Sequence, residues 1–209
     1  MDRVFGAEFR RVEYREHLGK PALVAIAVRT YDTTVEDLWE AITTPQRLAR
    51  WFLPIEGDLT RGGRYQLKGN AGGTITRCDP PGALDLTWEF MGGTSWVNVR
   101  LAPDGPRARL TLEHVAHKDA IGEEHLGQFG PGVVGIGWDL GFHGMERHLL
   151  DPAAIPDPEA VAAWTASNEG KAFMRASGEA WGAAHAASGE HPDEARAKAE
   201  RTIAAYTGA

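Results

Sequence analysis

The chain has 209 residues, enough for one sizeable hydrophobic core or two very small ones. Its 22 basic and 29 acidic side chains give a net charge of −7, which argues against nucleic acid or an anionic membrane as a partner, since both bind basic surfaces. The single cysteine, Cys78, excludes an internal disulfide and a multi-cysteine metal site. With no apolar signal segment at the start and no aliphatic run long enough for a bilayer, we expect a soluble, cytoplasmic protein.

The first clear strand covers residues 22–31, where Val24, Ile26 and Val28 share one face through their period-2 spacing. The preceding residues, 1–21, form a mixed polar lead that we interpret as a strand or an arm.

Two short helices are predicted to follow this strand. Thr33 is the expected N-cap of the first, because Glu36 stands three residues later and completes a capping box. Pro45 comes directly after Thr44, a pairing typical of an N-cap and a first helical position, and Pro54 ends the second helix.

An antiparallel meander is predicted next, because short alternating segments are separated by Gly- and Pro-rich turns. The alternation is clearest over residues 83–90, and it predicts one covered and one solvated face. The expected strands lie near 55–60, 64–68, 74–79, 83–90, 95–101 and 107–115.

A long helix over residues 132–150 is predicted to cover that face. Apolar residues recur there at helical spacing, and several glycines would let the helix backbone approach its partner closely. We therefore expect an α+β fold of about seven antiparallel strands curved around this helix, with a space between sheet and helix that commonly holds ligands. Residues 151–209 open with a Pro-rich breaker and carry only helical patterns, so the chain divides into a domain over 1–150 and a helical extension over 151–209.

This layout resembles the START-like superfamily, which has the helix-grip fold. Within it the chain is similar to the branch related to the C-terminal domain of the heat-shock-protein-90 ATPase activator, as a bacterial member with a helical extension. The resemblance covers about residues 22–150, and its motifs lie at Arg29–Trp39, Pro45–Phe52, Gly62–Tyr65, Gly72–Ile75, Leu86–Trp88 and Leu110–Leu112.

The resemblance implies a hydrophobic pocket between the sheet and the long helix. The predicted function is therefore non-enzymatic binding of a small hydrophobic or aromatic molecule, with no cofactor and no metal. A chaperone is a further candidate partner, and a homodimer is left open. The predicted ligand-binding residues are Phe52, Tyr65, Ile75, Leu86, Trp88, Val97, Leu112, His114, Trp138, Phe142 and Met145.

Two alternative functions remain open: a chaperone-cofactor interaction module, or an enzyme of the cyclase or hydrolase kind. His114 shares the parity of Leu112, so it should point to the covered face, where a histidine can orient a ligand or act as a general base. Asp139 and His143 stand four residues apart on the long helix and form either an oriented base or part of a solvated charged stripe.

Two other patterns are weaker indications. Residues 130–135 match GxGxxG, but a dinucleotide site also needs a preceding strand and a βαβ unit, so the pattern is more typical of a Gly-rich start to a packed helix. His114, His117 and His125 suggest a metal site only by composition, because the first two should point to opposite faces of a strand.

Overall fold

The computed structural model describes residues 6–118 and 126–209. The described residues contain eight strands, with two short helices between the second and the third, and then a long helix and three further helices. The strands are β1 (Phe9–His17), β2 (Lys20–Tyr31), β3 (Ile55–Gly57), β4 (Arg64–Leu67), β5 (Gly72–Asp79), β6 (Ala83–Phe90), β7 (Gly93–Asp104) and β8 (Arg107–His117). The helices are α1 (Val35–Thr43), α2 (Pro45–Trp51), α3 (Gly132–Leu150), α4 (Pro158–Ala166), α5 (Asn168–Ala187) and α6 (Pro192–Thr207).

The strands form one antiparallel sheet in the order β1-β2-β8-β7-β6-β5-β4-β3, which confirms the predicted α+β helix-grip class. The sheet has eight strands rather than about seven, because part of the polar lead forms β1. Phe9 pairs with Val28 and His17 with Lys20, so β1 lies beside β2 along its whole length. The two short helices therefore follow the second strand and not the first.

The corner formed by α1 and α2 begins one residue later than predicted. The N-cap is Thr34, whose hydroxyl accepts a hydrogen bond from the backbone N–H of Asp37 at 3.2 Å. Thr33 instead donates its hydroxyl to the carboxylate of Asp37 at 2.6 Å. Pro45 occupies the first turn of α2 after Thr44, as predicted.

The glycines near the start of α3 allow a close contact with α5. A Cβ at Gly135 would lie 2.3 Å from Cε2 of Trp181, far inside normal contact distance, so only glycine fits there. Gly130 precedes the helix with a φ of +66°. All neighbouring strands of the sheet are antiparallel, so the GxGxxG sequence lies outside any βαβ unit and serves the packing of α3.

The helices after residue 150 pack on the same chain. Helix α5 lies against α3 and β1, and α6 lies against α5. Helix α4 has Asp157 as its N-cap and Pro158 in its first turn, and α6 ends at Gly208, whose φ is +68°. No helix in the described part of the chain is long and apolar enough to cross a membrane.

The outer face of the sheet carries a small cluster of its own. Val24 and Val115 are fully buried there. Trp96 lies on this face and packs against the rings of His17 and His117, each with a centroid 4.5 Å away. Helix α5 contacts β1 from the opposite face, where Tyr14 meets His185.

Candidate functional site

A cavity of about 140 Å³ lies between the sheet, the α1–α2 corner and α3. Its wall is almost entirely aliphatic or aromatic. The residues that line it are Ile42, Thr43, Leu48, Trp51, Phe52, Ile55, Leu59, Tyr65, Leu67, Ile75, Cys78, Leu84, Leu86, Trp88, Val97, Val99, Leu110, Leu112, Trp138, Gly141, Phe142 and Met145.

All but one of the predicted ligand-binding residues line this cavity. The strands contribute Tyr65, Ile75, Leu86, Trp88, Val97 and Leu112, while Phe52 follows α2 and Trp138, Phe142 and Met145 come from α3. The exception is His114, which lies behind Trp138. Whether these residues bind a ligand stays a prediction.

Sequence reasoning missed about half of the wall. Leu84, Val99 and Leu110 share strand parity with residues that were predicted, so the alternation alone could have found them. Leu48 and Trp51 belong to the corner helices, and no local pattern shows that this corner turns toward the cavity.

Polar groups in the wall are largely hydrogen-bonded to the protein itself. Burial raises the pKa of the Tyr65 hydroxyl, which stays protonated and donates to a backbone carbonyl. The indole N–H of Trp51 and the hydroxyl of Thr43 also donate to backbone carbonyls. The three bonds are Tyr65 Oη to the carbonyl of Thr87 at 2.7 Å, Trp51 Nε1 to that of Ala41 at 2.9 Å, and Thr43 Oγ1 to that of Trp39 at 2.7 Å.

His114 belongs to a directed chain of hydrogen bonds. Trp138 can only donate, so its indole N–H donates to Nδ1 of His114 at 3.1 Å. The proton of the neutral ring is then on Nε2, which lies 2.9 Å from the hydroxyl of Ser95. Ser95 in turn donates to the carbonyl of Trp88 at 3.2 Å. Burial lowers the pKa of His114 from 6.5 to about 4, so the ring is neutral at pH 7.

Asp139 is fully buried outside the cavity, so the idea of a solvated stripe is wrong for this residue. Its carboxylate joins three parts of the chain. Oδ1 accepts from the backbone N–H of Ala7 at 2.7 Å, and Oδ2 accepts from the guanidinium of Arg10 at 2.9 and 3.0 Å. Ser177 and Trp181 of α5 donate to Oδ2 at 2.5 and 3.1 Å.

His143 lies about one turn further along α3, where its ring stacks on Trp164 of α4 with centroids 4.9 Å apart and contacts Phe173 of α5 at 5.5 Å. The donors to Asp139 include Arg10 of β1 and Trp181 of α5. Neither Asp139 nor His143 lines the cavity. A shared catalytic role for the two stays a prediction without support from this geometry.

A metal site finds no support among the described residues, which contain no group of three or more His, Cys, Asp or Glu side chains suited to an ion. His114 and His117 do point to opposite faces of the sheet: Nε2 of His117 lies 2.9 Å from the carbonyl oxygen of His17, and its ring contacts that of Trp96. His125 lies outside the described residues.

Family comparison agrees with the fold. The family model described as "Activator of Hsp90 ATPase homolog 1-like protein" matches residues 32–149, which is more than half of the sequence. The chain belongs to this family, as the resemblance seen in the sequence predicts. The match spans the α1–α2 corner, the sheet from β3 onward and α3, and so includes every element that lines the cavity.

Several solved structures are similar to this chain. The solution structure of CalU16 from Micromonospora echinospora shares 30% sequence identity over 90% of this chain and 100% of that one, with a TM-score of 0.72. The crystal structure of CalU16 gives 30% identity, coverage of 84% and 96%, and a TM-score of 0.65. Protein MLL2253 from Mesorhizobium loti shows the same fold at 20% identity, with coverage of 63% and 99% and a TM-score of 0.52. No curated protein matches the sequence.

Proposed function

We propose that this protein binds a small hydrophobic or aromatic molecule in the cavity between the sheet and α3. The observation that carries the proposal is a cavity of about 140 Å³ whose wall is apolar. Protein interiors normally pack without such voids, and an apolar cavity of about 150 Å³ can hold a molecule the size of benzene.

The aromatic part of the wall favours a planar ligand. Phe52 and Trp138 are stacked with an interplanar angle of 16° and centroids 5.9 Å apart. Trp88 lies 5.2 Å from Trp138 at 60°. These rings offer both faces and edges, the two arrangements that aromatic groups prefer when they meet.

The residues that line the cavity give less support to a catalytic function. Catalysis by a general base needs a histidine or carboxylate within reach of a bound substrate. The described residues of the wall include neither, and both ring nitrogens of His114 already have protein partners. The proposal therefore stays with binding, and the domain over 1–150 is proposed as the part that forms the site.

Cys78 provides a direct test, because it lines the cavity and is the only cysteine in the sequence. We expect toluene to slow the alkylation of Cys78 by N-ethylmaleimide in the native protein. Native mass spectrometry of freshly purified protein would then identify any small molecule that leaves on denaturation. Unchanged alkylation at saturating toluene, together with a mass that contains no bound molecule, would overturn the proposal.

A matched pair of variants separates the cavity from the rest of the sheet. Val97→Phe places a ring in the cavity wall, whereas Val28→Phe makes the same change on the outer face of β2. Protection of Cys78 by toluene should disappear in the first variant and persist in the second. Equal protection in both variants would contradict binding in this cavity.

Chaperone binding is a second candidate, supported by the family match over residues 32–149 and by the description of that family as Hsp90 ATPase activator homologues. The test is the ATPase rate of purified Hsp90 with and without this protein. A concentration-dependent increase in the rate would support the candidate, and an unchanged rate together with no binding to immobilised Hsp90 would remove it.

A further inference from the structure

The cavity wall provides no charge and very few free hydrogen-bond donors, and this limits the ligands it can accept. We infer that the cavity selects an uncharged aromatic molecule carrying a hydrogen-bond acceptor, such as a carbonyl or ether oxygen, and that the indole N–H of Trp88 donates to this acceptor. The inference rests on the proposed binding function and names the chemical class of its ligand.

Charge is the first part of the argument. None of the described residues that line the cavity is Lys, Arg, His, Asp or Glu. A carboxylate or ammonium group that entered would lose its hydration without gaining an ion partner, which is strongly unfavourable. The wall therefore discriminates against ligands whose charged group would have to enter the cavity.

Hydrogen-bond donors are the second part. Four of the polar groups in the wall already donate hydrogen bonds to protein atoms. They belong to Thr43, Trp51, Tyr65 and Trp138. Trp88 differs: its indole N–H donates to no described residue, although the side chain lines the cavity and is half-buried. An indole N–H can only donate, so its natural complement is a ligand acceptor.

The position of Trp88 is fixed by its neighbours. Its ring lies 5.2 Å from that of Trp138 and 6.1 Å, edge-on, from that of His114. Its backbone carbonyl accepts the hydroxyl of Ser95, the last member of the hydrogen-bond chain that begins at Trp138. The two neighbouring rings restrict the indole of Trp88, and a preorganised donor gives more selectivity than a mobile one.

Three probes of nearly equal shape test the inference: ethylbenzene, acetophenone and benzoate. At pH 7 we expect ethylbenzene and acetophenone to bind, and benzoate to bind about 100-fold more weakly than acetophenone. In Trp88→Phe, the ratio of acetophenone affinity to ethylbenzene affinity should fall about five-fold, as expected for one lost hydrogen bond. Using this ratio cancels the different solubilities of the two probes in water.

Trp51→Phe is the matched control, since it also removes an indole from the wall but one whose N–H already donates to Ala41. The affinity ratio should change little there. In the wild-type protein, acetophenone should shift the indole N–H resonance of Trp88 downfield more than ethylbenzene does, a readout that does not depend on how well either variant folds.

The outcomes separate the two proposals. Binding of ethylbenzene and acetophenone with an unchanged ratio in Trp88→Phe, and no distinct shift of its N–H resonance, would overturn the role of Trp88 and leave the binding function standing. Benzoate affinity equal to that of acetophenone would overturn the selection for uncharged ligands. Failure of all three probes to bind would remove the proposed function and this inference with it.

Discussion

The indole N–H of Trp138 donates to Nδ1 of His114 at 3.1 Å, and this one contact fixes the tautomer of a buried histidine behind the cavity wall. A second proton on the imidazole would have to sit on Nδ1, where it would face the N–H of Trp138. Burial and the contact with Trp138 both disfavour the protonated ring, so His114 stays neutral at pH 7.

The pH dependence of stability should reflect this residue. The pKa of His114 is about 4 in the folded protein, against 6.5 for an ordinary histidine, so between these values the unfolded state binds more protons. The free energy of unfolding should therefore fall as the pH is lowered from 6.5 toward 4, and His114 alone should account for about 2 kcal/mol between pH 7.5 and 5. Urea unfolding across this range measures the slope.

His114→Gln is the control for that slope, because Gln cannot titrate. The lowered pKa values of His17, His143, His148 and His185 act in the same direction and remain in both proteins, so only the difference between the two slopes is informative. Identical slopes would mean that His114 does not titrate as a buried group.

Asp139→Asn should destabilise the protein by about 3–5 kcal/mol. The change removes the negative charge opposite Arg10 and places an NH2 group either beside Arg10 and Trp181 or beside the backbone N–H of Ala7, none of which can accept a hydrogen bond. Glu89→Gln is the comparison, since it disrupts a carboxylate–arginine pair with Arg64 that is exposed at the surface and should destabilise the protein far less. Similar denaturation midpoints for the two variants would be incompatible with this role of Asp139.

Two glycine substitutions in α3 should have opposite effects. Gly135→Ala would force a Cβ to 2.3 Å from Trp181 and should cost at least about 1–3 kcal/mol. At Gly141 the nearest atom, in Phe52, is 3.7 Å away, so Gly141→Ala should gain up to about 1 kcal/mol of helix propensity. Thermal denaturation of both variants measures the two effects, and changes of melting temperature with the same sign would contradict the packing described here.

Removal of residues 151–209 should abolish cooperative unfolding. This truncation deletes Ser177 and Trp181, two of the donors to Asp139, and exposes the buried Ile136 of α3. The extension is thus expected to be needed for the stability of the rest of the chain, although it contributes no described residue to the cavity wall. A truncated chain that unfolds at the same urea concentration and still binds toluene would disprove this dependence.

The fold was predictable because its signals are local. The period-2 pattern over 83–90 and the helical spacing over 132–150 were confirmed as β6 and α3. β1 gave a weaker pattern, because it is an edge strand rich in Arg and Glu, where charge suits the exposed edge. The N-cap was wrong by one residue because Thr33 and Thr34 are adjacent, and both bond Asp37.

The cavity was predictable only in part. Strand parity correctly placed His114 on the covered face. Parity does not say which side chains on that face reach the cavity. Here Trp138 lines the cavity, and His114 bonds to Trp138 without lining it. The partners of Asp139 were not predictable from spacing, since Ala7 and Trp181 lie far from it along the chain. Long-range hydrogen bonds of this kind leave no periodic signal in a sequence.

The carboxylate of Asp139 also determines when the protein can finish folding during synthesis. Its donors begin at Ala7 and end at Trp181, so the set is complete only after most of the chain has left the ribosome. Until then burial of Asp139 would leave its charge without the donors of α5, which is unfavourable. The final structure is therefore expected to form only after α5 has emerged from the ribosome.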